Sequence, residues 1–112
     1  GLGLIVFPEG TSTRGSDILP LRPSLLQYAV DRKAPVYWAT LVYLTPEGEM
    51  TPSRAVCWWG NEDLLPHVRR LLALSRVDVT LTFGAVPEQA DNRKALAEGL
   101  RGAMLDSFTP MP

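Results

Sequence analysis

The residues best suited to chemistry lie near the start of the chain, in Phe7-Pro8-Glu9-Gly10-Thr11-Ser12-Thr13-Arg14-Gly15. Gly10 and Gly15 permit backbone angles that turn successive N–H groups toward an anion. Thr11, Ser12 and Thr13 add hydroxyl donors, and Arg14 adds a planar guanidinium fork suited to a phosphate or carboxylate. Arg22 follows eight residues later, next to Pro23, where a cation can help neutralise an anion above a helix start. These residues predict an anion cradle. Spacing alone also fits a polar turn between a strand and a helix, with Arg14 and Arg22 as surface arginines. No G-K-[ST] follows at P-loop spacing.

The remaining candidates are weaker. His67 is the one histidine; it follows Pro66 at a helix start, far along the chain from the glycine-rich loop, and it reads as structural. Glu47, Glu49, Glu62 and Asp63 read as solvated turn residues. Arg69, Arg70 and Arg76 share a segment with Leu64, Leu65, Val68, Leu71, Leu72 and Leu74. Such a helix can lie on an anionic membrane, but the favoured reading packs its leucines inward and solvates its arginines. Trp58 and Trp59 suit a lipid interface, where strand alternation would bury one ring and expose the other. The lone Cys57 allows no internal disulfide and gives weak support to a reducing compartment. No metal or organic cofactor is implied.

The elements that would position the loop follow from periodicity. Residues 2–7 form a short apolar run ending at Pro8, expected to be a buried parallel strand. Pro23 opens a helix with an apolar face of Leu25, Leu26, Tyr28, Ala29 and Val30, ending before Pro35. Residues 36–44 are β-branched and aromatic, a second strand. Thr45-Pro46-Glu47-Gly48 is a turn, and residues 53–58 are expected to return as a strand. Residues 64–73 predict a helix, and residues 77–83 alternate as a half-exposed strand. Asp91 is the expected cap of a last helix whose face is Leu96, Leu100, Ala103 and Met104. Gly99 and Gly102 weaken that helix by about 1 kcal/mol each, so packing must hold it. The pattern is α/β: a partial mixed, mostly parallel sheet flanked by helices, with residues 1–112 as one domain or most of one.

Bulk properties narrow the classes. At 46% hydrophobic and 21% charged the chain is composed like a globular domain rather than a disordered tail. A net charge of -1 gives nucleic-acid binding no support. No apolar run nears the roughly 18 residues of a spanning helix. The chain opens directly on an apolar run, which suggests a sequence cut from something longer.

Phe7-Pro8-Glu9-Gly10-Thr11, the basic Arg14, Leu19-Pro20-Leu21-Arg22 and Ala34-Pro35-Val36 together resemble the acceptor-binding blocks of the glycerolipid acyltransferase family. Trp58-Trp59-Gly60, Leu64-Leu65-Pro66-His67 and Phe83-Gly84 resemble segments of one bacterial branch, so the likeness spans nearly the whole chain. The resemblance implies the C-terminal half of the glycerolipid acyltransferase fold. It implies that Glu9, Gly10, Thr11, Arg14 and Arg22 hold the acceptor's phosphate. Glu9 would either fix the loop by accepting backbone N–H bonds or contact glycerol hydroxyls. Many members carry a basic residue where Ser12 stands, which leaves fewer phosphate contacts here.

The family's catalytic H-x-x-x-x-D block lies upstream of F-P-E-G-T, so no catalytic residue is expected within this chain. The implied whole protein moves an acyl group from acyl-CoA or an acyl-carrier protein to 1-acyl-glycerol-3-phosphate, giving phosphatidic acid. Lyso-ornithine lipid is an alternative acceptor, and a non-catalytic anion- or lipid-binding module is an alternative role. The parent is expected at the cytoplasmic face of the inner membrane. The chain by itself is expected to self-associate through an exposed sheet edge.

Overall fold

A computed structural model describes residues 3–111. A 3-10 turn, Pro23–Leu26, runs into helix α1, Gln27–Asp31. Then come strand β1, Ala39–Leu44, helix α2, Pro52–Ala55, and helix α3, Leu64–Leu72. Strand β2, Asp78–Phe83, and helix α4, Arg93–Ser107, complete the order.

The two strands pair antiparallel, with Ala39 opposite Phe83, Leu41 opposite Leu81 and Leu44 opposite Asp78. An isolated bridge, Val36 with Glu88, prolongs the ribbon past its regular part. Pleating puts Val36, Trp38 and Thr40 on one face and Ala39, Leu41 and Tyr43 on the other. The first face looks into the core: Val36 and Trp38 pack against it and Thr40 is buried. That core joins Ile18, Leu21 and Leu26 to Leu96, Ala97 and Leu100 of α4. The second face is open, because Leu41, Val79, Leu81 and Phe83 are all exposed.

Several expectations are corrected here. Residues 3–7 form no strand, and Leu4, Ile5 and Phe7 are exposed; residue 2, the start of that expected strand, lies outside the described residues. An apolar run becomes a strand only when a neighbouring strand takes its N–H and C=O groups, and no strand does so among the described residues. No parallel pairing occurs there either; the sheet is one antiparallel pair. The expected strand at residues 53–58 begins instead as α2. Pro52 takes a first-turn position after an extended Thr51, where its missing N–H costs nothing. The cap of α4 is Asn92 rather than Asp91, and its side chain accepts from the Ala95 N–H at 2.8 Å.

α3 has the expected limits but faces the other way. His67 is its buried residue, while Leu64, Leu65 and Leu72 are exposed. Glu49 is no free turn residue: it accepts from the Ser75 hydroxyl at 2.6 Å and the Ser75 N–H at 2.8 Å.

Candidate functional site: the Glu9–Gly10–Arg22 turn

The residues after Phe7 fold back on the segment that precedes the 3-10 turn. The Gly10 N–H donates to the Phe7 carbonyl at 3.1 Å, closing a tight turn. Pro8 offers its carbonyl to the Arg22 N–H at 2.7 Å, and a carboxylate oxygen of Glu9 accepts from the Leu19 N–H at 2.9 Å. Glu9 therefore serves the loop by fixing backbone, through one of its two oxygens; the other has no hydrogen-bond partner among the described residues.

Gly10 has φ +74, a conformation that glycine adopts without strain. The Arg22 side chain lies across its α-carbon so closely that a β-carbon would overlap it. Glu9, Gly10 and Arg22 are thus gathered in one place, although ten or more residues separate their two segments.

Behind the turn, α4 acts as the anvil. Arg101 donates from Nη2 and Nε to the Ile18 carbonyl at 2.6 and 3.0 Å and reaches the Asp17 carboxylate at 3.7 Å. Ile18 and Leu21 on either side are buried in the core. Sequence reasoning missed Arg101, which sits among the α4 core residues with no spacing that marks it as a clamp.

Arg14 is held by other neighbours. Its Nε donates to the Ser16 hydroxyl at 3.0 Å, and its guanidinium stands 6.0 Å from the Trp59 ring centroid. Such a contact contributes about 0.5–1 kcal/mol when exposed. Gly15, φ +83, is buried against Cys57 and Met111, and its N–H donates to the Thr13 hydroxyl at 3.1 Å. Thr11 is exposed and its hydroxyl makes no hydrogen bond among the described residues. The five expected contacts therefore divide. Glu9, Gly10 and Arg22 form one cluster, Thr11 adjoins it in sequence, and Arg14 is turned to Trp59. No hydrogen bond or ion pair joins Arg14 to that cluster among the described residues.

The described ion pairs are Arg70–Glu62, Arg76–Asp78 and Arg101–Asp17, so neither Arg14 nor Arg22 has one. Two guanidiniums without a carboxylate are free to meet an external anion. Two shallow concavities lie away from the turn. One runs along α3; the other is lined by Arg54, Trp59, Gly60, Asn61, Glu62 and Arg70 and adjoins Arg14 through Trp59.

His67 stacks on Trp58 with ring centroids 6.2 Å apart, and its buried Nδ1 has no hydrogen-bond partner among the described residues. Among the described residues no carboxylate is hydrogen-bonded to its ring to orient it as in a His–Asp pair. Burial raises the pKa of the Cys57 thiol, which suits an inert core residue better than a nucleophile.

Among known proteins the chain is similar to a class of enzymes that acylate a lipid hydroxyl, the lipid O-acyltransferases. More particularly, it is 32% identical over 80 residues to the lyso-ornithine lipid O-acyltransferase of Rhodobacter capsulatus, covering 68% of this chain and 28% of that protein. It is 29% identical over 105 residues to that of Pseudomonas aeruginosa, covering 93% and 40%. It is 32% identical over 111 residues to that of Brucella abortus, covering 87% and 41%. The chain spans between 28% and 41% of the length of these curated relatives. No family model and no solved structure matches it. The likeness supports an acyltransferase region; the 1-acyl-glycerol-3-phosphate type expected from the motifs is not the type that these relatives carry in their names.

Proposed function

We propose that this chain is the acceptor-holding portion of a lipid O-acyltransferase and that its acceptor is a lyso-ornithine lipid. The observation that carries the reading is the Arg22 guanidinium lying over Gly10 beside Glu9, with no ion pair of its own among the described residues. An ornithine headgroup offers a carboxylate for Arg22 and an ammonium for the unpartnered oxygen of Glu9. In the reaction the acceptor hydroxyl attacks the thioester carbonyl of acyl-CoA or an acyl-carrier protein. A C–O bond forms, the C–S bond breaks, and the hydroxyl proton passes through a base to the leaving thiolate. In this reading that base, and the helices that would cover the open face of β1 and β2 in an α/β fold, belong to a portion of the parent outside this chain. In the same reading the parent works at the cytoplasmic membrane face.

A second reading keeps 1-acyl-glycerol-3-phosphate as acceptor. It is favoured by the F-P-E-G-T segment and by the second guanidinium without an ion pair, Arg14, which would assist Arg22 on a dianion. Titrating the 112-residue chain with short-chain forms of both lipids, followed by NMR, separates the two. Lyso-ornithine lipid should move the Gly10 amide and the Arg22 Nε–H. Arg22→Ala should weaken binding by about 10- to 100-fold, as expected for a hydrogen bond to a charged group. Glu9→Gln should weaken the ornithine lipid and spare the phosphate lipid. If neither lipid disturbs Gly10 and Arg22, or Arg22→Ala binds as well as the parent chain, the acceptor reading is wrong.

A further inference from the structure

Three of the four leucines of α3 are left uncovered among the described residues. Leu65 is 80% exposed and Leu72 78%, and Leu64 beside them is also exposed. Seven residues apart on a helix, Leu65 and Leu72 lie within about 20° of one another around the axis. Arg69 stands one turn from each, about 40° round the axis from Leu65 and about 60° from Leu72, on the border of the same stripe. The buried side of the helix is marked by His67, packed against Trp58.

Leu65, Val68, Arg69, Leu72 and Ala73 make a shallow and open surface rather than a groove. A groove would fit a partner's helix; an open apolar stripe with a cation on its rim fits a plane. The cation is uncommitted. Arg70 pairs with Glu62 and donates to the Arg54 carbonyl, and Arg76 pairs with Asp78, while Arg69 has no ion pair among the described residues. Arginine at the edge of exposed leucines is the arrangement by which an interfacial helix meets anionic headgroups while its apolar face enters the acyl boundary.

We infer that α3 is a membrane-docking helix, which lays Leu65 and Leu72 into the surface of an anionic bilayer and sets Arg69 against the lipid phosphates. The surface shares no residue with the Glu9–Gly10–Arg22 turn, so the two sites can be tested apart.

The test is cosedimentation of the full 112-residue chain with vesicles of phosphatidylcholine alone, or of phosphatidylcholine and phosphatidylglycerol in equal parts. Binding is expected to the mixed vesicles and to weaken as salt rises, since screening acts on the Arg69 contact. Leu65→Glu with Leu72→Glu should reduce it by at least about 100-fold, the combined worth of two buried leucines. Arg69→Glu should reduce binding to mixed vesicles several-fold and leave weak binding to the neutral ones unchanged. All three side chains leave the core untouched, so circular dichroism should match the parent chain. Leu65→Trp, which keeps the apolar face, should bind at least as well as the parent.

Three results would overturn the inference. They are no binding to either vesicle, binding that survives the double substitution, or sedimentation velocity showing a dimer that Leu65→Glu dissolves. The last would make the stripe a contact between two copies.

Discussion

Gly10→Ala probes the turn most directly, because two separable costs meet there. The first is conformational: at φ +74 a side chain costs about 1–2 kcal/mol. The second is steric. A β-carbon would overlap Cδ and Nε of Arg22, so that side chain must leave its position. Arg22 is exposed and flexible, and a forced off-rotamer placement costs about 0.5–1.5 kcal/mol.

Gly48 supplies the control, since it has φ +86 and nothing near its α-carbon. Gly48→Ala should therefore cost about 1–2 kcal/mol and Gly10→Ala about 1.5–3 kcal/mol in urea unfolding. The difference belongs to Arg22 and should vanish in an Arg22→Ala background, giving a coupling of about 0.5–1.5 kcal/mol. Arg22→Ala alone should shift stability by no more than about 0.5 kcal/mol, as surface changes do. Equal costs for the two glycines with Arg22 present would refute the packing of Arg22 on Gly10, and the acceptor site built on it.

Two further outcomes check the fold. Asn92→Ala should cost about 1 kcal/mol in thermal or urea unfolding and Asp91→Ala almost nothing, because only Asn92 caps α4; the reverse order would restore the cap expected from sequence. The Glu49 carboxyl is held below its ordinary range by the Ser75 hydroxyl, then the Ser75 N–H, with a smaller pull from Arg76. Its folded pKa lies below the unfolded one, so the clasp contributes fully above the unfolded value and is lost as pH falls through the folded value. The Ser75 amide shift should report a midpoint under the usual glutamate range, and one at or above that range would show that no clasp exists.

Local signals carried much of the framework. The helix expected at residues 64–73 is α3, and the strands expected at 36–44 and 77–83 are β1 and β2, trimmed at their first residues. Their patterns are long, periodic and bounded by turn residues. What stayed illegible is what depends on neighbours. The run at residues 2–7 reads as a strand only by its apolarity, and no strand lies beside residues 3–7 in the structure. Amphipathicity sorted the side chains of α3 into faces without saying which face turns inward, and His67 took the place expected of leucine.

The same limit governs the site. Gly10 and Gly15 do adopt positive φ, as their turn chemistry suggests. Sequence proximity, however, placed Arg14 beside Gly10, whereas folding put Arg22 there and gave Arg14 to Trp59. Pro52 was a readable helix start that the β-like residues after it obscured.

The connection between the two strands bears on how the chain folds and comes apart. β1 and β2 are partners in a ribbon, but α2 and α3 lie between them in sequence, so pairing must first close a loop of roughly 30 residues. The Glu49–Ser75 clasp sits at the neck of that loop and gathers its ends just before the ribbon begins. Closure entropy grows only slowly with length, so the neck tolerates a long excursion at small cost. A few polar contacts at a neck are also easier to release than a packed core. The segment carrying α2 and α3 is therefore expected to open before the ribbon and α4, which amide hydrogen exchange would report as lower protection in α2 and α3 than in β1, β2 and α4. Such a module can be lengthened, shortened or exchanged among related chains without rewriting the register of the strands that carry it.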